Sequence, residues 1–336
     1  MLAFEIQNNS GHWGLALSDR PDPRPGGGDV TVKISARSLN FRDTLIRIGT
    51  YNPRMPLPLI PLSDGVGTIV ETGRNVSVRT VGERVACLFS PNWIEGEPTP
   101  AKLFPTLGAE TDGTLAEYVV LPESAVVSVP EYLTDEEAST LPCAAVTAWN
   151  ALFGESPPSP GERILIQGTG DVALFALQFA RIAGLELIVL SRSDDKLERA
   201  KTLGAATGIN TLTIPEWGKH LLDLTDGQGV EHVLELGGTE TFSQSLQALR
   251  TNGRISVIGG LSGFTAEVSL GQIIRKTARL KGLLVGSKVS FEAMNSALES
   301  HRLKPVIDRA FTFSDSLQAY EHKLHGNPFG KVVIRS

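Results

Sequence analysis

The 336-residue chain carries only two cysteines, Cys87 and Cys143. Two thiols exclude a disulfide framework and any four-cysteine zinc cluster. Basic runs are missing too, and the net charge of −6 speaks against a nucleic-acid surface. No uninterrupted apolar stretch is long enough to cross a bilayer. The N-terminal stretch Met-Leu-Ala-Phe-Glu-Ile-Gln-Asn-Asn lacks the charged-then-apolar order of a secretory signal. Internal repeats and low-complexity tracts are absent. What these absences leave is a cytoplasmic enzyme with a small-molecule substrate, and with neither nucleic acid nor membrane as partner.

Hydrophobic residues make up 41% of the chain and charged residues 20%, as in ordinary globular proteins. The length predicts two domains with sizeable cores. Up to about residue 141 the sequence reads as β-rich. Val30, Val32 and Ile34 alternate with polar residues, the pattern of a half-buried strand. Residues 82–89 and 115–121 are further strand candidates, and a Pro- and Gly-dotted loop runs over 90–113. Beyond 141 strands and helices alternate, as in a doubly wound parallel sheet. Strands are expected at 185–190, 230–236, 254–258 and 279–286, with a helix at 239–249 and a turn at Thr251-Asn252-Gly253. The tail reads as a helix over 291–301, extended chain around 305–313, a helix from Ser314 and a last strand over 331–335.

The most informative segment is 161–184. Ile164, Leu165 and Ile166 form a short apolar run suited to a strand buried on both faces. Gly168-x-Gly170-x-x-Ala173 follows, and then a long apolar helix. The first glycine allows a tight turn, the second lets the backbone approach a pyrophosphate, and a small third residue lets helix and strand pack closely. The phosphates are expected at the helix N-terminus, by the N–H groups of Asp171 and Val172. Asp171 sets a carboxylate where those phosphates should lie, so it weakens binding unless it faces solvent or pairs with a cation such as Lys331.

Dinucleotide sites for NAD place Asp or Glu roughly 20 residues beyond this loop, on the ribose 2′-OH. That place holds Ser191-Arg192-Ser193. A carboxylate repels a 2′-phosphate, whereas Arg192 can grip one with its guanidinium fork and Ser191 can donate to it. Lys196, one turn into the next helix, can assist. The cofactor expected is NADPH rather than NADH; the alternative is that Arg192 is only a solvated surface charge.

Asn40-Phe-Arg42-Asp43, Pro61-Leu-Ser-Asp64-Gly-Val-Gly67, Gly82-Glu-Arg-Val85, Leu141-Pro-Cys143-Ala-Ala-Val-Thr147-Ala-Trp149 and the Gly168 loop occur in this order. Together they resemble the medium-chain dehydrogenase/reductase superfamily, in particular its zinc-independent quinone oxidoreductase-like branch. The resemblance implies an α/β protein of two domains. Residues 1–142 and 287–336 would form a GroES-like β-barrel catalytic domain, and 143–286 a Rossmann cofactor-binding domain. It also implies a homodimer joined through the edge of the Rossmann sheet, at residues 279–286.

By the same resemblance, the Cys, His and Cys that hold catalytic zinc in alcohol dehydrogenases become Asn40, Ser63 and Cys143. An amide, a hydroxyl and one thiol do not make a zinc site, and the structural zinc loop is missing; no metal is expected. Cys143 is then a small buried residue near the site, or a reactive thiol. Thr147 is expected beside the nicotinamide, with Gly237-Gly238 and Ile258-Gly259-Gly260 along the cofactor groove and Lys331 at the pyrophosphate. Lys331 can equally be a strand-edge charge.

Without a Lewis acid the chemistry that remains is hydride delivery to a quinone or an α,β-unsaturated carbonyl. Tyr51 matches a proton-donating tyrosine of enoyl reductases, or else walls the pocket. Asn40 and Asp43 orient nicotinamide or substrate, unless Arg42-Asp43 is a structural ion pair. Trp93 and Phe104 of the long loop are candidate pocket walls. Two other functions compete: an alcohol or aldehyde dehydrogenase-type activity of the same fold, and a cofactor-binding protein with little turnover.

Overall fold

The computed structural model describes residues 1–9 and 12–336. The chain divides into two compact units, Met1–Val146 with Val285–Ser336, and Thr147–Leu284. Cys143, assigned to the second domain by the sequence boundary, thus belongs to the first unit.

In the first unit the long strand Asp29–Leu39 is the hub of a seven-stranded sheet. It pairs antiparallel with Asp64–Thr72, Tyr118–Pro122 and Lys331–Arg335. Val30, Val32, Ile34 and Ala36 are buried, whereas Lys33 between them is exposed, as the two-residue period of a strand dictates. Their apolar face packs with Ile69, Val85, Val119 and Val126. The last strand, Lys331–Arg335, sets Val332 opposite Leu39, so the C-terminal tail returns to a sheet built from the first third of the chain. A hairpin of Leu2–Asn9 and His12–Asp19 completes the unit; composition alone did not define it.

The second unit is a six-stranded parallel sheet. Its order is Thr207–Asn210, Glu186–Ser191, Arg163–Gln167, Val230–Glu235, Leu249–Val257 and Arg279–Gly282. In chain order this is 3-2-1-4-5-6, the doubly wound arrangement. Ile164, Leu165 and Ile166 are completely buried, as the central strand requires. The helix Asp171–Ile182 follows, and its Ala173 is 1% exposed, in keeping with the need for a small residue at that packing point.

Three local expectations shift. The helix after Gly237-Gly238 spans Phe242–Ala248, because those glycines and Thr239 form a turn against Gly263. Thr251-Asn252-Gly253 lies inside the strand Leu249–Val257, where Asn252 has φ +59° and the pairing register shifts; the turn chemistry is accommodated as a bulge. The closing strand ends at Gly282. Among the described residues no helix is long and apolar enough to cross a membrane.

Candidate functional site

Ligands of doubly wound sheets bind beyond the carboxyl ends of the strands, where the strand order reverses. Here that point lies between Arg163–Gln167 and Val230–Glu235. Gly168 leaves the first of these strands with φ +79°, and Gly170 caps the helix that follows. An added Cβ on either glycine would meet no heavy atom within 4 Å, so the space above the turn is open. Val230–Glu235 ends in Leu236 and the Gly237-Gly238 turn. Gly238 has φ +92°, and a Cβ there would lie 2.1 Å from the Gly263 carbonyl oxygen. Close backbone approach therefore demands glycine at that position.

A buried polar network, not evident from the sequence, holds these two strand ends together. Glu235 is completely buried. One carboxyl oxygen accepts from the N–H groups of Gly237 (3.0 Å) and Gly238 (2.8 Å) and from the Thr241 hydroxyl. The other accepts from Gln167 Nε2 (2.8 Å) and the Ser245 hydroxyl. Gln167 Oε1 in turn accepts from the N–H groups of Leu236 (3.0 Å) and Gly237 (2.9 Å). Gln167 immediately precedes Gly168, so the network sets both glycine turns. The available signal was a carboxyl side chain closing the apolar run Val233-Leu234 just before Gly-Gly, because a buried polar group must find partners.

Elsewhere around the same sheet, Ser191 ends the second strand and is 8% exposed. Its hydroxyl oxygen accepts from the Ser193 N–H at 3.2 Å, which leaves the hydroxyl hydrogen to donate elsewhere. Arg192 is exposed, and Lys196 is half-buried with its N–H on the Ser193 hydroxyl. Asp171 and Val172 are half-buried in the first helical turn, Thr147 is buried, and Ile258 and Gly259 are half-buried beyond the fifth strand.

The first unit gathers a separate set. Asn40, Asp43, Asp64 and Lys331 are all buried. The Lys331 ammonium donates to Leu39 O (2.9 Å), Asn40 Oδ1 (2.7 Å) and Asp64 Oδ2 (3.3 Å). Asp64 also accepts from the Ser38 and Ser63 hydroxyls, each at 3.0 Å. Asp43 Oδ2 accepts from the Asn40 N–H at 2.7 Å, and burial raises its pKa to about 6 against the pull of Arg42. Burial also raises the Tyr51 pKa, opposed by Arg42, so the phenol keeps its proton. The Cys143 thiol is pushed well up by burial and then by Asp64; a thiol held this strongly protonated is a poor nucleophile.

Arg42 donates to Thr106 Oγ1 (3.0 Å) and Leu107 O (3.1 Å). Its guanidinium lies over the rings of Phe89 (4.3 Å) and Tyr51 (5.1 Å). These contacts, rather than an ion pair with Asp43, anchor it. Trp93 is buried with its indole N–H on Gly96 O, whereas Phe104 is 46% exposed. Lys331, expected at a pyrophosphate, bonds here to groups of the first unit. An ammonium has three hydrogens, and Lys331 directs its own to Leu39 O, Asn40 Oδ1 and Asp64 Oδ2. It is not a strand-edge charge, being 1% exposed.

Comparison with known proteins gives this arrangement a family. The alcohol dehydrogenase GroES-like domain family matches residues 26–131, and the zinc-binding dehydrogenase family matches 172–300. A zinc-type alcohol dehydrogenase-like protein of Schizosaccharomyces pombe is 43% identical over 314 residues, covering 92% of this chain and 91% of its own. The chain belongs to the medium-chain dehydrogenase/reductase superfamily.

As a medium-chain dehydrogenase/reductase it is an NAD(P)-dependent oxidoreductase, with the GroES-like and Rossmann domains of that family. A crystal structure from Sinorhizobium meliloti assigned to the alcohol dehydrogenases matches with TM-score 0.93 and 40% identity, covering 100% of this chain and 98% of the other. A quinone oxidoreductase of Pseudomonas syringae matches with TM-score 0.84 and 26% identity over 100% of both chains. The open Gly168–Gly170 turn at the switch point fits a dinucleotide. The residues at the superfamily's zinc-ligand positions do not fit zinc. Asn40 Oδ1 faces an ammonium and Ser63 donates to Asp64, which leaves Cys143 as the one suitable donor at these three positions, whereas zinc needs thiolate, imidazole or carboxylate ligands. Among the described residues no group of three or more His, Cys, Asp or Glu side chains is placed to hold a metal.

Proposed function

We propose that this medium-chain dehydrogenase/reductase is an NADPH-dependent, zinc-independent reductase that delivers hydride to a quinone or an α,β-unsaturated carbonyl. The observation that carries the proposal is the Asn40–Asp64–Lys331 cluster, where a protein ammonium meets the amide at a zinc-ligand position. A bound metal would have to displace that cation. Reduced nicotinamide supplies the hydride when bound. The protein's own part is to hold the cofactor and to stabilise the negative charge that develops on the acceptor oxygen.

In this reading Gly168, Gly170, Asp171 and Val172 hold the pyrophosphate, and Ser191, Arg192 and Lys196 the 2′-phosphate. Gly237, Ile258 and Gly259 line the groove, and Thr147 lies by the nicotinamide. Asn40, Asp43 and Tyr51 serve the acceptor. Tyr51 is a protonated phenol, suited to donate a hydrogen bond or a proton. The edge strand Arg279–Gly282, with exposed Leu280, and the preceding helix Leu270–Lys276, with exposed Leu270 and Ile274, offer the surface for a second copy in a homodimer. The names of the relatives favour an alcohol dehydrogenase-type activity as the second reading.

The deciding experiment is a screen of NADPH oxidation against quinones, enones, aldehydes, ketones and, in reverse, alcohols. Turnover confined to quinones and enones is expected; turnover confined to alcohols and aldehydes selects the second reading. With the best acceptor, Tyr51→Phe should lower kcat by about 10²-fold, the scale of a lost general acid. An unchanged kcat leaves Tyr51 as pocket wall alone.

A further inference from the structure

The pairing of Val332 with Leu39 delivers Lys331 from the far end of the chain to the side of Asn40. Asn40 is 5% exposed, and its Oδ1 takes a short 2.7 Å hydrogen bond from the ammonium. A lysine side chain has donors and no acceptor, so it must meet the oxygen of the amide and never the nitrogen. That contact fixes which way the amide faces. Its nitrogen, Nδ2, is left buried with no hydrogen-bond partner. Lys331 is itself held by Asp64, whose two oxygens also take the Ser38 and Ser63 hydroxyls. The Asn40 backbone is pinned as well, by its N–H on Asp43 Oδ2. Nothing in this set is free to turn except at a cost, and one strong donor is left over.

We propose that Lys331 is a positioning residue that locks the Asn40 amide so that its Nδ2 hydrogen-bonds the carbonyl oxygen of the acceptor. This rests on the reductase reading above and gives it an oxyanion donor. When hydride adds to the β-carbon of an enone, the new C–H bond forms there. The C=C π pair shifts to make a C=C bond at the carbonyl carbon, and the carbonyl pair moves onto oxygen as an enolate. The enolate then takes one proton from water or from Tyr51 at the α-carbon. The Asn40 amide transfers no proton; it stabilises the oxygen charge. A cation on Oδ1 polarises the amide and strengthens the N–H on the other side. The buried ammonium thus does through an amide what a metal does by direct contact.

Two variants test this. Asn40→Asp keeps the size and the oxygen facing Lys331 but loses the donor. Lys331→Met with Asp64→Asn removes the cation together with its counter-charge, so no buried carboxylate is stranded. Both should lower kcat by about 10²- to 10³-fold, the effect of losing one oxyanion donor, while the NADPH Kd, read by nucleotide fluorescence, stays within about twofold of wild type. An undiminished kcat in Asn40→Asp overturns the proposal, as does a parallel loss of NADPH binding in both variants, which would mark a merely structural role. The second readout needs no turnover. In ¹H–¹⁵N spectra, p-nitrophenolate, an oxyanion resembling an enolate, should move the Asn40 side-chain amide signals downfield in wild type and not in the Lys331→Met/Asp64→Asn variant. Signals that do not move in wild type also overturn it. If no enone or quinone is reduced by wild type, the functional reading falls alone, and the amide signals still decide the donor.

Discussion

Arg192→Glu is expected to lower kcat/KM for NADPH by about 10²- to 10³-fold and to leave NADH nearly unaffected, so that the cofactor preference inverts. The estimate has two parts. A charge-assisted guanidinium–phosphate contact contributes roughly 1.5–3 kcal/mol, about 10- to 100-fold. The new carboxylate adds repulsion of the 2′-phosphate and recreates the residue type that binds a ribose 2′-OH in NAD sites. Exposure of Arg192 brings solvent screening, so the effect should shrink as salt is raised. Steady-state kinetics with both cofactors at two ionic strengths check this. An unchanged NADPH-to-NADH ratio would mean that Arg192 is a surface charge and nothing more.

Glu235→Ala carries the second large effect. It removes the acceptors of the Gly237 and Gly238 N–H groups, the Gln167 amide and the Thr241 and Ser245 hydroxyls. Each buried donor left unmet costs roughly 1–3 kcal/mol. Partial relaxation and water entry offset some of that, so a net loss of roughly 3–5 kcal/mol is expected. The glycine turns are also released, and NADPH affinity should fall by about tenfold or more, since affinity depends on preorganisation. Glu235→Gln, which keeps the size and one acceptor, should lie in between. Thermal unfolding and NADPH titration on the same samples provide the check; wild-type affinity in Glu235→Ala would show that the network supports the fold without shaping the cofactor site.

How far the sequence carries depends on whether a feature is local. Ile164–Ile166, Gly168-x-Gly170 and the helix behind them could be read directly, because a strand, a glycine turn and a helix start are each defined by neighbours in the chain. The final strand Lys331–Arg335 has the bounds expected of it for the same reason. The hairpin of Leu2–Asn9 and His12–Asp19 was not, since its strands gain their burial from segments far along the chain. Lys331 shows the limit most clearly. Its ammonium bonds to an oxygen 292 positions away, and no periodicity or motif announces such a partner. A lysine in a C-terminal strand reads as a surface charge until the sheet register brings it under Asn40. Glu235 was missed: a carboxyl group closing an apolar strand is a signal that it must find buried partners, but nothing local says which hydroxyls and amides would fill that role. Arg42 reverses a local guess, since its neighbour in sequence, Asp43, is not its anchor; Thr106, Leu107 and two aromatic rings are.

In the proposed reaction the acceptor is reduced without zinc, with a buried ammonium and amide at the superfamily's zinc-ligand positions. The most direct measurement is acceptor-dependent NADPH oxidation by the purified protein before and after exhaustive treatment with a zinc chelator. The same rate is expected in both samples, with no gain on adding Zn²⁺. A rate abolished by the chelator and restored by zinc would contradict zinc independence.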